Sequence, residues 1–593
     1  MPGLIGYSNK FHKYDNAMLL KMQQLLKYDD RVMDDGLYAD ELICASRTHL
    51  GIIKQGRQPF AVNDGLYAWL EGEFYNRAEL EAKHQVRAEN DCELLAKVYA
   101  RTASFSFLRD VDGYFAAVVY DQPQGVIYLM TDRYGFKPLY WGCTGSDLVW
   151  SSELKGFLGH VDFRIKIDPV AVERFFDVGY LLQNRTWFDG VELMSPASVL
   201  AFRMADSRID VSHYWSWNEI EPFVGTLRED ELVEELGGLF EQAVRDRVKK
   251  DEKVGITLSG GLDSRAILAA VPCDFRPLHA FTFGQEGCDE ITIAEKAATI
   301  KRATHHALLL GPGNWLNPRI SGVWKTDGML NVLHMHGIEF CSHYKNYVDI
   351  IINGFAGDLV LGGSYLKRRR YVDKRIDPEI AQDIMQAKSQ IDAPTDYGID
   401  KIDPYFLDNR VRRFTNTGLI YLGKWVETRQ PFFSNALIEI IYSLPDVLRY
   451  KSRLYNRLLL SRFPEYFRDI PYQKTRLPIG CTGWTGRLLG YKNRVAGRLM
   501  HKAQQMGFKT KHVRHFTDYA AWIRHDPARS FFQKVLSDKK ALYPNFVERT
   551  NILNRLQEHL QNKANRENEI CLALTFEIWL QQIINGRYRD GLS

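Results

Sequence analysis

The sequence predicts a two-domain α/β protein: a β-rich sandwich, then a parallel sheet wrapped in helices with a helical C-terminal part. Three observations lead there. Residues 1 to about 210 carry short apolar runs separated by Gly, Asp and Pro; a strand, glycine loop, helix, strand alternation begins at Val254; and the remainder, about 365 to 593, is polar and mainly helical in pattern. A chain of 593 residues, 45% of them hydrophobic, also has the material for more than one core.

In the β-rich part, runs such as Tyr67-Ala68-Trp69-Leu70, Tyr114 to Tyr120 and Gly125 to Met130 end at turn residues, and sheets packed face to face would bury them. A polar helical stretch, Glu229 to Lys250, leads into strand Val254 to Leu258, a glycine loop, helix Arg265 to Val271 and strand Leu278 to Phe283. A further apolar run, Val348 to Ile352, ends in Asn353-Gly354 and a second glycine-rich segment, Gly357 to Gly363. Ligands of open α/β sheets sit beyond the carboxyl ends of strands, so both glycine segments are expected to open onto one crevice. The C-terminal stretch places Leu572, Phe576, Trp579, Leu580 and Ile583 on one face of an amphipathic helix, as core packing.

Several function classes are disfavoured. The net charge of +4 is small and spread over both halves, which predicts no nucleic-acid partner. No apolar stretch approaches the roughly 18 to 20 residues that span a bilayer, and the N-terminus lacks a signal-peptide layout, so no membrane association and a cytoplasmic location are expected. The eight cysteines are scattered, without a CxxC pair or zinc-spaced Cys/His cluster, and read as reduced structural thiols.

The chemistry concentrates in Ser259-Gly260-Gly261-Leu262-Asp263-Ser264. Between a strand and a helix, this run is expected to present free backbone N–H groups, two hydroxyls and a helix N-terminus to one point, which is how phosphate oxygens are bound. The Asp263 carboxylate would repel phosphate unless a cation lies between them, so it is assigned to Mg²⁺, with Asp358 of the second segment as the other ligand. The plainer reading is a glycine turn with Ser and Asp capping an ordinary helix. Chance would produce the five fixed residues in roughly one chain in a thousand of this length, which favours the nucleotide loop.

At these residues the chain resembles the asparagine synthetase family, whose glycine loop binds the pyrophosphate of ATP and whose members transfer AMP to a substrate carboxylate. The similarity extends through Gly354 to Gly363, Val426 to Phe432 and Gln473-Lys474-Thr475-Arg476, and, in the N-terminal part, through Glu71 to Asn76, Asp91-Cys92-Glu93 and Asp132 to Tyr140. It implies a glutaminase-like domain of N-terminal-nucleophile fold over 1–212 and an ATP-pyrophosphatase-like synthetase domain over 228–593. It implies ATP and Mg²⁺ as cofactors, nucleotide contacts from Leu258, Ser259, Gly260, Gly261, Asp263, Ser264, Phe283, Asn353 and Gly354, and Lys474 set against the phosphates. Members often form homodimers, which leaves the oligomeric state open.

The chain departs from the family pattern at four positions. The family's nucleophilic cysteine aligns with Pro2, its oxyanion-hole asparagine with Glu71 and its glutamine-binding arginine with His49, although Gly72, Glu73 and Asp91 persist. Proline cannot form a thioester, and an anion at an oxyanion site raises the barrier, so an inactive glutaminase is expected. The synthetase-site glutamate aligns with Phe355, which accepts no proton. Relatives lacking both groups include β-lactam synthetases and lasso-peptide macrolactam cyclases, in which an amine of the same substrate attacks. The resemblance thus points to an amide ligase acting on a carboxylate substrate, with a lasso-type cyclase as the specific expectation and a peptide brought by a leader-processing partner protein. Ammonia-dependent asparagine synthesis and a non-catalytic nucleotide-binding scaffold are the alternatives. The run Lys367-Arg368-Arg369-Arg370 is read as a solvated face, and His305-His306 as packing or hydrogen-bonding residues.

Overall fold

The computed structural model describes residues 2–8, 16–63, 65–226, 228–389, 395–481, 495 and 515–591. Two six-stranded antiparallel sheets make up the N-terminal part. One runs, edge to edge, Val191–Leu193, Tyr140–Thr144, Asp147–Ser151, Gly3–Ser8, Ile43–His49 and Met33–Ala39. The other runs Arg208–His213, Ser198–Arg203, Val126–Thr131, Gly113–Asp121, Leu66–Phe74 and Phe60–Val62. Leu4, Ile43 and Trp150 of the first meet Trp69, Val118, Leu129 and Leu200 of the second.

The outer faces are covered as well. Helix Asn16–Leu26 lays Met18, Leu19 and Met22 on Ile5 and Tyr7, and helix Asp91–Thr102 lays Leu94, Leu95 and Val98 on Phe115, Ala117 and Val119. Strand Gly113–Asp121 is therefore buried on both faces, which explains its unbroken apolar run.

The C-terminal part is built on five parallel strands in the order Thr304–Leu309, His279–Gly284, Val254–Thr257, Ile350–Ile352, Glu427–Arg429. Chain order reverses between Val254–Thr257 and Ile350–Ile352, so the switch-point crevice lies beyond their carboxyl ends, where the two glycine segments begin. Strand Glu427–Arg429 lies in a region expected to be helical; three residues are too few to display a period of two.

The C-terminal helix, Glu567–Ile584, corrects the amphipathic reading, because Ile570 to Ile583 are all buried. Its polar side chains have partners inside. Glu577 accepts from the Leu542 and Tyr543 N–H groups at 2.8 and 2.7 Å, Thr575 Oγ1 accepts from Val332 N–H at 3.0 Å, and Gln582 donates to Ile320 O at 3.1 Å. Phe576 also reaches the N-terminal domain, packing on Phe176 and Trp187.

The histidine pair lies on the edge strand, His306 Nε2 at 2.9 Å from His279 Nδ1 and His305 Nε2 at 3.0 Å from Thr282 Oγ1. In the basic run, Arg368 pairs with Asp383 and Arg370 with Glu379. None of the eight cysteines is in a disulfide, and among the described residues no helix is long and apolar enough to cross a membrane. Buried ion pairs join the two parts of the chain, among them Lys155–Asp327 at 2.8 Å, Lys424–Glu153 at 2.6 Å and Arg429–Glu73 at 2.7 Å.

Candidate active site

The glycine loop follows strand Val254–Thr257 and feeds helix Asp263–Ala270, whose first residue supplies a carboxylate at the positive end of the helix dipole. Three of its N–H groups are already engaged by side chains, where the sequence reading expected free ones. Ser259 N–H donates to Ser264 Oγ at 3.0 Å, Gly261 N–H to Ser259 Oγ at 3.1 Å, and Gly260 N–H to the Glu290 carboxylate. Half-buried amides need acceptors, and side chains supply them here. Burial holds the Glu290 carboxyl above the usual carboxylate range. Arg265, fully buried, fixes the loop from beneath by donating to Gly261 O at 2.7 Å and Tyr466 O at 3.3 Å.

The second segment lies directly on the first because glycines permit it. A Cβ on Gly354 would come within 2.7 Å of Ser264 N, and one on Gly357 within 2.9 Å of Asp263 Cγ. Asn353 anchors the start, its N–H donating to Arg429 O at 3.0 Å and its side chain to Thr257 Oγ1 at 2.7 Å. Asp358 N–H then donates to Asp263 Oδ2 at 2.9 Å, while the Tyr455 hydroxyl donates to Asp263 Oδ1 at 2.8 Å. Burial, and then the charge of Asp358, push Asp263 up to about 7. Each Asp263 oxygen keeps a free lone pair, so two facing carboxylates form an oxygen donor set that fits a divalent cation such as Mg²⁺.

A cavity of about 850 Å³ opens over this pair, lined among the described residues by Ser259, Gly261, Asp263, Asp358, Tyr455 and Lys474, with others. Lys474 stands on a turn tied to the loop by Gln473 N–H donating to Gly260 O at 3.3 Å and to the start of helix Asp289–Lys301 by the Arg476–Asp289 pair at 2.8 Å. Burial works against the Lys474 ammonium, yet Tyr472, Asp358 and Asp263 together hold its pKa above the ordinary lysine value.

Other predicted nucleotide contacts lie outside that lining. Leu258 is 2% exposed in the core, and the Phe283 ring faces Phe340 and Phe516 instead. Gly260, Ser264, Asn353 and Gly354 form the packed wall behind the cavity. Tyr455 and Glu290 were missed by sequence reasoning. Tyr455 stands in no motif, and Asp289-Glu290 at a helix start reads as ordinary dipole capping. A separate cavity of about 760 Å³, along Arg133, Gln183, Trp215 and Tyr397, holds no residue of the two glycine segments.

In the N-terminal domain, Pro2 is buried immediately before strand Gly3–Ser8. Glu71 is buried 3.9 Å from Lys137, which lies 3.4 Å from Glu427 of the other domain, and burial raises the Glu71 pKa. Both Glu73 oxygens accept from Arg429, at 2.8 and 2.7 Å; burial opposes its charge, but Arg429 holds its pKa below the ordinary value. Asp91 Oδ2 accepts from Phe74 N–H and the Gln55 side chain. His49 Nδ1 accepts from Gly51 N–H, and its Nε2 lies 3.4 Å from Asp35. Phe355 is buried with its ring 5.4 Å from Phe136 and 5.7 Å from Phe433.

Comparison with known proteins agrees with this architecture. A glutamine amidotransferase domain model matches residues 1–215, and an asparagine synthase model matches 235–417. Asparagine synthetase (glutamine-hydrolyzing) 3 of Bacillus subtilis is 24% identical over 547 residues, 79% of this chain and 87% of the relative. Asparagine synthetase (glutamine-hydrolyzing) 1 of the same organism is 27% identical over 386 residues, 62% of this chain and 60% of the relative. Among solved structures, glutamine phosphoribosylpyrophosphate amidotransferase from B. subtilis matches at 12% identity over 52% of this chain and 90% of that one, with a TM-score of 0.26. With both domains matched in order and the paired glycine segments at the switch point, the chain belongs to the asparagine synthetase family and is a carbon–nitrogen ligase that forms amide bonds using ATP.

Proposed function

We propose that this enzyme transfers AMP from Mg-ATP to a carboxylate, releasing pyrophosphate, and couples the acyl group to an amine carried by its own substrate without hydrolysing glutamine. The specific form we favour is macrolactam closure of the lasso-peptide type, on a peptide delivered with a leader-processing partner protein. One observation carries the reading: Phe355, buried between Phe136 and Phe433, stands where the family pattern has a proton-accepting glutamate.

The chain's own groups suit the chemistry. Asp263 and Asp358 would hold Mg²⁺, which supplies charge neutralisation for the phosphates; Ser259 and Gly261 face the same cavity, and Lys474 adds a cation from across it. In the second step the amine forms the C–N bond, the acyl–phosphate oxygen bond breaks, AMP leaves with its electron pair, and the amine proton passes to solvent. Holding amine and acyl carbon together supplies several kcal/mol without a strong base. A family-type glutaminase has no footing, since Pro2 offers no nucleophile, Glu71 places a carboxylate where an oxyanion would form, and both oxygens of Glu73 are engaged by Arg429.

Pyrophosphate release measured across candidate acids and peptides tests this. Equimolar AMP and pyrophosphate, with no glutamate formed from glutamine, is the expected result; ADP as product, or no pyrophosphate with any acid, would refute it. Asparagine synthesis is the alternative that the names and coverage of the relatives favour, and with Pro2 in place of the nucleophile it would draw on ammonia. Asparagine formed from aspartate, ATP and ammonium would decide for it.

A further inference from the structure

The edge strand Glu427–Arg429 is only three residues long, and both of its outer residues are ion-paired into the N-terminal domain. Glu427 meets Lys137 at 3.4 Å. Arg429 is fully buried; its guanidinium donates to both oxygens of Glu73 at 2.8 and 2.7 Å, to both oxygens of Glu252 at 2.6 and 2.8 Å, and to Arg247 O at 2.8 Å. Residues i and i+2 of a strand share a face, so one buried face of this strand is clamped by carboxylates and a lysine.

The opposite edge of the same strand carries the ligase site. Arg429 O accepts the Asn353 N–H at 3.0 Å; Asn353 opens the second glycine segment, Gly354 lies against the Asp263–Ser264 backbone, and Asp358 N–H ends on Asp263. A two-ended guanidinium with a fixed fork geometry transmits position better than a lone charge would. Glu73 lies in strand Leu66–Phe74, which is itself buried on both faces, so the rigid end of the chain of contacts is the N-terminal domain.

We infer that Glu73 is a positioning residue of the ligase site: through Arg429 and Asn353 the N-terminal domain sets where the second glycine segment, and with it Asp358, stands relative to Asp263. In this protein a domain expected to be inactive as a glutaminase serves as the fixed wall of the ATP site. The inference rests on the reading above that the Asp263–Asp358 pair receives Mg-ATP.

The test is isothermal titration of full-length protein with a non-hydrolysable Mg-ATP analogue, beside the KM for ATP and kcat in pyrophosphate release. Glu73→Gln leaves a neutral acceptor with the charge gone, and Arg429→Lys keeps the charge but removes the fork. Both are expected to weaken nucleotide binding about tenfold, the scale on which partners of metal ligands act, with the loss in Kd and KM exceeding that in kcat. Lys345→Ala, which removes the remote interdomain pair with Asp29, must leave Kd unchanged. Wild-type Kd in a folded Glu73→Gln protein overturns the inference. If that variant does not fold, Arg429→Lys decides in the same way. If wild type binds no nucleotide, the functional reading falls instead, and the strut is judged by amide exchange at Asn353 and Gly354: faster exchange in Glu73→Gln supports it, and unchanged exchange overturns it.

Discussion

Asp358 donates its backbone N–H to Asp263 at 2.9 Å, and the same approach brings the charge of Asp358 to bear on the Asp263 carboxylate. The hydrogen bond favours the charged form of Asp263, while burial and the neighbouring charge oppose it, and the second pair of effects wins, at about 7.

This predicts a pH dependence of the metal-free enzyme. The folded state binds the Asp263 proton more tightly than the unfolded chain, whose ordinary value is 3.8, so this group's contribution to stability is complete below that value and is lost as pH rises towards about 7. The difference in melting temperature between wild type and Asp263→Asn should therefore move against wild type from about pH 5 to pH 8. Magnesium added at the upper end should restore the wild type and not the variant. Calorimetry at fixed ionic strength checks both.

Tyr455→Phe removes the hydroxyl that holds Asp263 Oδ1 at 2.8 Å. Hydrogen bonds to charged groups contribute about 1.5 to 3 kcal/mol. The Mg²⁺ concentration for half-maximal pyrophosphate release should rise about tenfold, with the fold intact by circular dichroism, because the ring itself stays buried.

Glu290 occupies the Gly260 N–H, a donor suited to a phosphate oxygen. A nucleotide that docks there displaces a carboxylate and meets its charge nearby. Glu290→Gln should lower the KM for ATP several-fold with kcat little changed, and binding titrations should show the same gain; an unchanged Kd would mean that Glu290 and the phosphates do not compete.

Phe355 fills space between two domains. Phe355→Ala should cost about 3 to 5 kcal/mol in urea unfolding, as large aromatic truncations in cores do. Phe355→Glu should be worse, since it buries a carboxylate among Phe136 and Phe433 without a partner, and it should not create ammonia-dependent activity.

Much of this was legible in the chain itself. The run Ser259 to Ser264 and the segment from Asn353 to Gly363 were readable because their demands are local: a strand end, glycines where backbones meet, and a carboxylate at a helix start. The β-rich first half was readable for a similar reason, since strands covered on both faces leave unbroken apolar runs. The helix Glu567–Ile584 was misread because a helix enclosed on all sides can still hold Glu577 and Gln582, provided distant backbone groups bond to them.

What the sequence determined by itself is the two-domain architecture and the place where the paired carboxylates stand. Tertiary structure alone decided how they are held. Tyr455 reaches Asp263 across 192 positions, Glu290 reaches Gly260 across 30, and Glu73 reaches Arg429 across 356. A hydrogen bond depends on the distance between two atoms, and no spacing within one element encodes which residue of another the folded chain will bring there.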